Sequence, residues 1–172
     1  VALRFLREGR LMARVQHPQI VRFFGQGQGR AGGVRLYWFA MEFVDGTTLQ
    51  ERLQIGPLPV LQDCRIAAQV GRALHYAHER GVVHRDVKPG NIMLRHGDGE
   101  PSVAITDFGL ARETGAGSMT DSGAIVGTPM YMAPELVLGG AAQAGTLADV
   151  YSLGATLYTL VTGMPPYDGP TA

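Results

Sequence analysis

The residues best suited to chemistry in this chain fall in two short stretches. One is His84-Arg85-Asp86-Val87-Lys88-Pro89-Gly90-Asn91, and the other, sixteen residues after Asn91, is Asp107-Phe108-Gly109. Between them lie two short apolar runs, Ile92 to Leu94 and Val103 to Ile105, joined by His96-Gly97-Asp98-Gly99. An Asp-Gly pair between apolar runs reads as a hairpin turn. The two loops flanking that hairpin then meet at one end of it, which brings Asp86, Lys88, Asn91 and Asp107 together. The Asn91 amide oxygen and the Asp107 carboxylate are hard donors of the kind Mg²⁺ takes while keeping several waters. Lys88 supplies a compact positive charge for phosphate, and Asp86 can accept a proton from an attacking hydroxyl. Phosphoryl transfer asks for this inventory, because its loose, anionic transition state leaves the protein mainly positioning and electrostatics to supply. Lys88 is also the one lysine beside fourteen arginines, as expected where a flexible ammonium is needed and a planar guanidinium does not serve.

The elements that must hold these loops can be read from periodicity. Leu3, Leu6, Leu11, Met12 and Val15 recur at helical spacing until Pro18 stops them. Ile20 to Phe24 and Val34 to Phe43 are β-branched and aromatic and predict a hairpin around a glycine-rich loop. Within that loop, Gly27-Gln28-Gly29-Arg30-Ala31-Gly32 fits G-x-G-x-x-G. A phosphate-binding use needs a following helix, or a lysine in the next strand, and neither is present, so a plain hairpin loop is expected. Thr47 with Gln50, or Thr48 with Glu51, is a capping-box signature for a short helix ended by Gly56-Pro57. Ile66, Val70, Ala73, Leu74 and Ala77 form the stripe of a long helix over 60–80, closed by Gly81. A loop poor in apolar residues follows Asp107 as far as Thr128, then a short helix near Glu135 to Leu138 and an apolar helix from Leu147 to Thr162. Among the remaining polar and aromatic residues, His84 is read as a buried hydrogen-bonding residue, His75 and His78 as packing or solvent residues, Cys64 as a small helix residue and Trp38 as core.

Composition narrows the function classes. The 172 residues carry 15 Lys+Arg against 15 Asp+Glu, so no basic field is available to hold nucleic acid or an anionic membrane. The single cysteine, Cys64, excludes an internal disulfide and a cysteine-based zinc cluster. No signal-peptide pattern opens the chain. The uncharged run Val150 to Tyr167 contains Gly163 and Pro165-Pro166, which leaves its helical part well short of the ~20 residues a membrane span needs. A buried core helix is expected there.

With Gly127-Thr128-Pro129-Met130-Tyr131-Met132-Ala133-Pro134-Glu135 and Asp149-Val150-Tyr151-Ser152-Leu153-Gly154 added to the two loops, four ordered motifs are present. From about Phe5 to Asp168 the chain resembles the eukaryotic-like serine/threonine protein kinases, and in texture their bacterial members. The resemblance implies an α+β, two-lobed kinase fold in which residues 1–43 are the remnant of the N-lobe and hinge (regulatory helix and two strands) and 44–172 are most of a mainly helical C-lobe. It implies transfer of the γ-phosphate of ATP, with Mg²⁺, to Ser/Thr hydroxyls of protein substrates, autophosphorylation included. Asp86 would be the base, Lys88 would contact the transferred phosphate, and Asn91 with Asp107 would hold Mg²⁺. Met41 falls at the gatekeeper position, Glu42, Phe43 and Val44 at the hinge that meets adenine, and Met93 at the floor of that pocket. Glu8 matches the ion-pairing glutamate of the regulatory helix, whose usual lysine partner this chain does not contain. Thr128 would favour hydroxyl substrates beside Asp86 and Lys88. Glu135 would anchor the activation segment to an arginine beyond Ala172, and Asp149 would brace the catalytic loop, although Thr146-Leu147-Ala148 before it departs from the family pattern.

In similar kinases an arginine such as Arg85 binds a phosphorylated loop residue, which points to Thr120 and Ser122. The glycine-rich loop and strand lysine would precede Val1 and further helices would follow Ala172, so low activity is expected of the 172 residues alone. A cytoplasmic location, protein substrates, dimerisation for phosphorylation in trans, and no nucleic-acid or membrane contact from this segment complete the expectation. The alternatives are a pseudokinase or interaction module, if the parent lacks the strand lysine, and a small-molecule phosphotransferase, against which the Gly127 to Glu135 segment argues.

Overall fold

The computed structural model describes residues 9, 11–97, 99–108, 129–139 and 145–167. Strand β1 (Phe23–Ala31) pairs antiparallel with β2 (Val34–Met41). A three-stranded antiparallel sheet follows in the order β3 (Gly46–Thr48), β4 (Ile92–Arg95), β5 (Val103–Ile105). The helices are α1 (Leu49–Ile55), α2 (Val60–His78), α3 (Pro134–Gly139) and α4 (Thr146–Thr162). Single 3₁₀ turns span Pro89–Asn91 and Pro129–Tyr131.

The glycine-rich segment departs from expectation. Gly25, Gly27 and Gly29 lie inside β1, and the turn is Gly32-Gly33, both at positive φ. Cross-strand packing explains this. Gly27 faces Trp38, and a Cβ on Gly27 would meet the indole Cζ2 at 2.2 Å, so the glycine lets the large ring lie across the strand. Trp38 itself is 51% exposed and is not a core residue. Among the described residues β1 and β2 pair only with each other, and Phe24 on the same ribbon is exposed as well.

Local chemistry sets the remaining boundaries. Thr48 caps α1 through a complete capping box: its Oγ1 accepts from Glu51 N at 3.1 Å, and Glu51 Oε2 accepts from Thr48 N at 2.9 Å, a device worth about 1 kcal/mol. Helix α2 buries Ile66, Val70, Ala73, Leu74 and Ala77 and closes on Gly81, at φ 73°, with Val82 N donating to Ala77 O at 3.0 Å. Only a residue tolerant of left-handed backbone closes a helix this way. Leu49, Val87, Ile92, Val103, Ile105 and Leu160 belong to the same core, with Met12, Val15, Ile20, Val82 and Phe108.

Helix α4 packs against α2, with Leu153 Cδ2 at 3.6 Å from where a Gly71 Cβ would stand. Its buried Thr156 and Thr159 turn their hydroxyls back to the carbonyls of Ser152 and Ala155 at 2.8 and 3.0 Å. A helix with few charges can thus sit in a protein core with its polar atoms satisfied. No helix among the described residues is long and apolar enough to cross a membrane.

Candidate active site

The 3₁₀ turn Pro89–Asn91 directly precedes β4, and Thr106 directly follows β5, so antiparallel pairing of the two strands brings the two loops together. Thr106 N donates to Asn91 O at 2.9 Å, and its Oγ1 donates to the same oxygen at 3.3 Å. Asp107, the next residue, is thereby set beside Asn91. The Asn91 side chain is almost fully buried, and its Nδ2 donates to the Asp86 carbonyl and to Asp86 Oδ2, both at 2.8 Å. Lys88 Nζ lies 2.7 Å from the same Oδ2. Among the described residues both side-chain partners of the Asp86 carboxylate fall on Oδ2, which leaves Oδ1 to an incoming group.

Below this cluster sits His84, wholly buried. Its Nδ1 accepts from Asp86 N at 3.2 Å, its Nε2 lies 2.8 Å from Thr106 O, and its ring packs tilted against Phe108 with the ring centroids 4.4 Å apart. One imidazole therefore ties the two loops to each other. Burial holds its pKa below the ordinary value, against the opposing pull of Asp149, the bond to Thr106, Asp86 and Asp107. His84 is the structural hydrogen-bonding residue that the sequence suggested.

Underneath lies Asp149 of α4, a carboxylate with no exposure. Its Oδ2 accepts from His84 N at 2.8 Å and its Oδ1 from Arg85 N at 2.6 Å. Charge-assisted bonds of this kind are worth about 1.5–3 kcal/mol each. They hold Arg85 at φ 71°, and Asp107 stands at φ 58°. Among the described residues these are the only non-glycine positions with positive φ, a strain of about 1–3 kcal/mol apiece of the kind that collects at functional sites. The unusual Thr146-Leu147-Ala148 sequence does not prevent Asp149 from making both backbone bonds.

Residues 2–172 match the family described as "Protein kinase domain". This chain belongs to the protein kinase domain family. It is 40% identical over 169 residues to the serine/threonine-protein kinase PknB of Mycobacterium leprae, covering 97% of this chain and 26% of that protein. Against the serine/threonine-protein kinase PknJ of Mycobacterium tuberculosis it is 41% identical over 165 residues, covering 95% of this chain and 27% of that protein. The kinase-domain chain thus spans about a quarter of the length of the curated relatives it matches. In three dimensions it is similar to the Mycobacterium tuberculosis PknI kinase domain, with TM-score 0.73, 34% identity, and coverage of 99% of this chain and 61% of that one. It is similar also to Rad53 1–466 in complex with AMP-PNP, with TM-score 0.75, 32% identity, and coverage of 97% and 40%.

The remaining positions of the kinase-domain motifs are distributed as follows. Met41, at the end of β2, and Met93, in β4, pack on the same small cluster of Val21, Val44 and Ala104. Phe43 is 89% exposed while Val44 is buried. The Glu42 carboxylate is taken up by the fold: Arg95 Nη1 donates to it at 2.7 Å and Arg22 N at 3.1 Å. The Arg95 bond is the main cause of its lowered pKa. Glu135 stands in the first turn of α3, close enough to act on the Tyr151 phenol. Glu8, Thr120, Ser122 and Thr128 lie outside the described residues.

The residue that sequence reasoning missed is His78. Assigned to packing or solvent, it places Nε2 2.7 Å from Asp149 Oδ2 and forms the third support of that carboxylate. Nothing local could have signalled the pair, because α2 and α4 are far apart in the sequence and only their packing brings the two side chains together.

Among the described residues no group of three or more His, Cys, Asp or Glu side chains stands ready to hold a metal ion. A divalent cation at this site would be held by the Asn91 amide oxygen and the Asp107 carboxylate, with phosphate and water completing the shell. Both described bonds of the Asn91 side chain run from Nδ2, so Oδ1 is the atom left for a cation. Two hard donors fit Mg²⁺, which keeps much of its water, better than they fit a metal that needs an all-protein cage.

Proposed function

We propose that the polypeptide containing this chain is an ATP-dependent serine/threonine protein kinase, acting in the cytoplasm on protein Ser and Thr hydroxyls, including those of a second copy of itself. The observation that carries the reading is the Asp86 carboxylate, with Lys88 Nζ and Asn91 Nδ2 both within 2.8 Å of Oδ2. One oxygen is pinned, and the other is left to accept the proton of an attacking hydroxyl. Lys88 stands close enough to the base to meet the phosphate as it moves toward the acceptor. Asn91 aligns the base through its amide nitrogen and offers its oxygen to the cation. Asn91 and Asp107 would hold Mg²⁺, which when bound would supply positive charge to the phosphate oxygens. Met41 and Met93 form an apolar surface for the adenine, with the Glu42 to Val44 backbone as its polar edge. Names of relatives at about 40% identity, all serine/threonine-protein kinases, support the same activity. On this reading Arg85 receives a phosphate carried by Thr120 or Ser122, and Glu8, Thr128 and Glu135 keep the roles that the motifs suggest.

The test is transfer of labelled phosphate from ATP to protein by the natural full-length polypeptide, beside its Asp86→Asn variant. The variant retains nucleotide binding and loses about 10²- to 10⁴-fold in kcat, the usual share of general-base assistance. Equal turnover by the two proteins, or none by the wild type, would remove the proposal.

A further inference from the structure

A cavity of about 450 Å³ opens beside the Asp86 cluster, within the range of roughly 300–1,000 Å³ found for ligand sites. Lys88 forms one edge, and through it the cavity adjoins the candidate base, since Lys88 Nζ lies 2.7 Å from Asp86 Oδ2. The facing wall is α1, with Gln50, Leu53 and Gln54, and the turn at Met130 and Tyr131 forms another side. An extended chain advances only about 3.3–3.6 Å per residue. A peptide that presents a hydroxyl to Asp86 must therefore set the residues on one side of that hydroxyl over this opening.

Its composition is one-sided. Among the described residues that line it there is no carboxylate, and Lys88 is the only charged side chain. Gly90 contributes by what it lacks, because a Cβ there would come within 2.7 Å of Gln50 Oε1. The glycine lets the Gln50 amide settle over the loop, so the cavity presents amides and apolar carbon next to one ammonium group. A lysine or arginine side chain entering it would lose water, meet no carboxylate among the described lining residues and face an ammonium group already paired with Asp86, the kind of mismatch by which sites reject a wrong partner. A large apolar side chain meets Leu53, Met130 and Tyr131, and the two glutamines can bond the main chain that carries it.

We propose that this cavity reads the residues flanking the acceptor and selects a large uncharged side chain over a basic one, with Gln50 and Gln54 as specificity-determining residues. The inference rests on the kinase reading above and adds the class of peptide segment that the same site takes.

A peptide library varied on both sides of a fixed Ser/Thr, phosphorylated by the natural full-length polypeptide, tests it. At one flanking position large apolar residues are expected to exceed Lys and Arg by about tenfold in kcat/KM. Gln50→Glu and Gln54→Glu are isosteric changes at exposed positions, so each is expected to fold. Each should raise Lys and Arg at that same position by about fivefold or more, with the other positions unmoved. Selection of basic residues there by the wild type, or a profile unchanged in both variants, overturns the assignment while leaving the kinase reading intact. Failure of the wild type to label either the library or a general protein substrate removes the kinase reading, and this assignment with it.

Discussion

Nε2 of His78, in the last turn of α2, lies 2.7 Å from Oδ2 of Asp149 in α4, an oxygen that also accepts from His84 N. The histidine is largely enclosed and the carboxylate fully so. With one bond on Oδ1 and two on Oδ2, Asp149 joins the long helix, the strained loop at Arg85 and the apolar helix in one polar node. A buried carboxylate is tolerated only when its lone pairs are met in this way.

The expected consequence is that His78→Ala destabilises the protein by about 1.5–3 kcal/mol, the range for a hydrogen bond to a charged group, read as a shift in the urea midpoint. His78 acts through Asp149 on the loop, so kcat of the full polypeptide should fall with little change in KM for nucleotide. His78→Gln, which keeps a donor at similar reach, should recover most of both. An alanine variant as stable as the wild type would show that two backbone bonds suffice for Asp149.

His84 makes stability depend on pH. A neutral imidazole with its proton on Nε2 satisfies both Thr106 O and Asp86 N, whereas a second ring proton would oppose the Asp86 N–H. Burial lowers the folded-state pKa below 6.5. As pH falls through about 6.5 the unfolded chain takes up a proton that the folded chain refuses, so stability drops toward acid by up to about 1.4 kcal/mol per pH unit for one such group. Melting temperatures of the wild type and His84→Asn, measured between about pH 7.5 and pH 5.5, should show the steeper acid loss in the wild type. Parallel curves would count against it.

Asp63, near the start of α2, is fully buried, and neither carboxylate oxygen has a hydrogen-bond partner among the described residues. Burial raises its pKa, against the pull of Arg52. The helix N-terminus favours a negative charge there by about 0.3–1 kcal/mol, while an unsatisfied buried polar group costs about 1–3 kcal/mol, more when charged, so burial wins. Asp63→Asn is therefore expected to stabilise by about 1 kcal/mol at neutral pH by chemical denaturation. The gain should shrink as pH falls through the raised folded-state pKa, where Asp63 becomes neutral in the wild type. A loss of stability on substitution would reverse the balance drawn here.

Arg85 Nε is buried without a hydrogen-bond partner among the described residues, and the Asp149 carboxylate fixes the backbone of the same residue. A phosphate on Thr120 or Ser122 would complete this guanidinium through charge-assisted bonds. Alanine at both positions should lower kcat of the full polypeptide by about tenfold or more, and Arg85→Ala should add little to that loss, because partners in one interaction are not additive. Full activity in the double-alanine protein would leave Arg85 without this role.

The pairing that assembles the candidate site was legible in the sequence. Asp86, Lys88, Asn91 and Asp107 lie on two loops joined by one short hairpin, and the Asp-Gly turn with its apolar flanks predicted a pairing that strands β4 and β5 form. The cap at Thr48 and the closing glycine of α2 were equally readable, since both depend on residues within one turn of each other. The glycine run at β1 misled, because its meaning depended on Trp38 across the strand and not on its own neighbours.

Residue types and short-range spacing determined by themselves which groups could carry a phosphate, a cation and a proton, and which loops would hold them. That information is local, because loop chemistry and helix caps are decided by atoms a few residues apart. Only the packing of α4 against α2 decided that His78, and not solvent, meets Asp149, and only the fall of α1 over Gly90 decided that the cavity beside Lys88 is lined by amides. Contacts between distant segments depend on how whole helices bury their faces, and no short stretch of sequence encodes that.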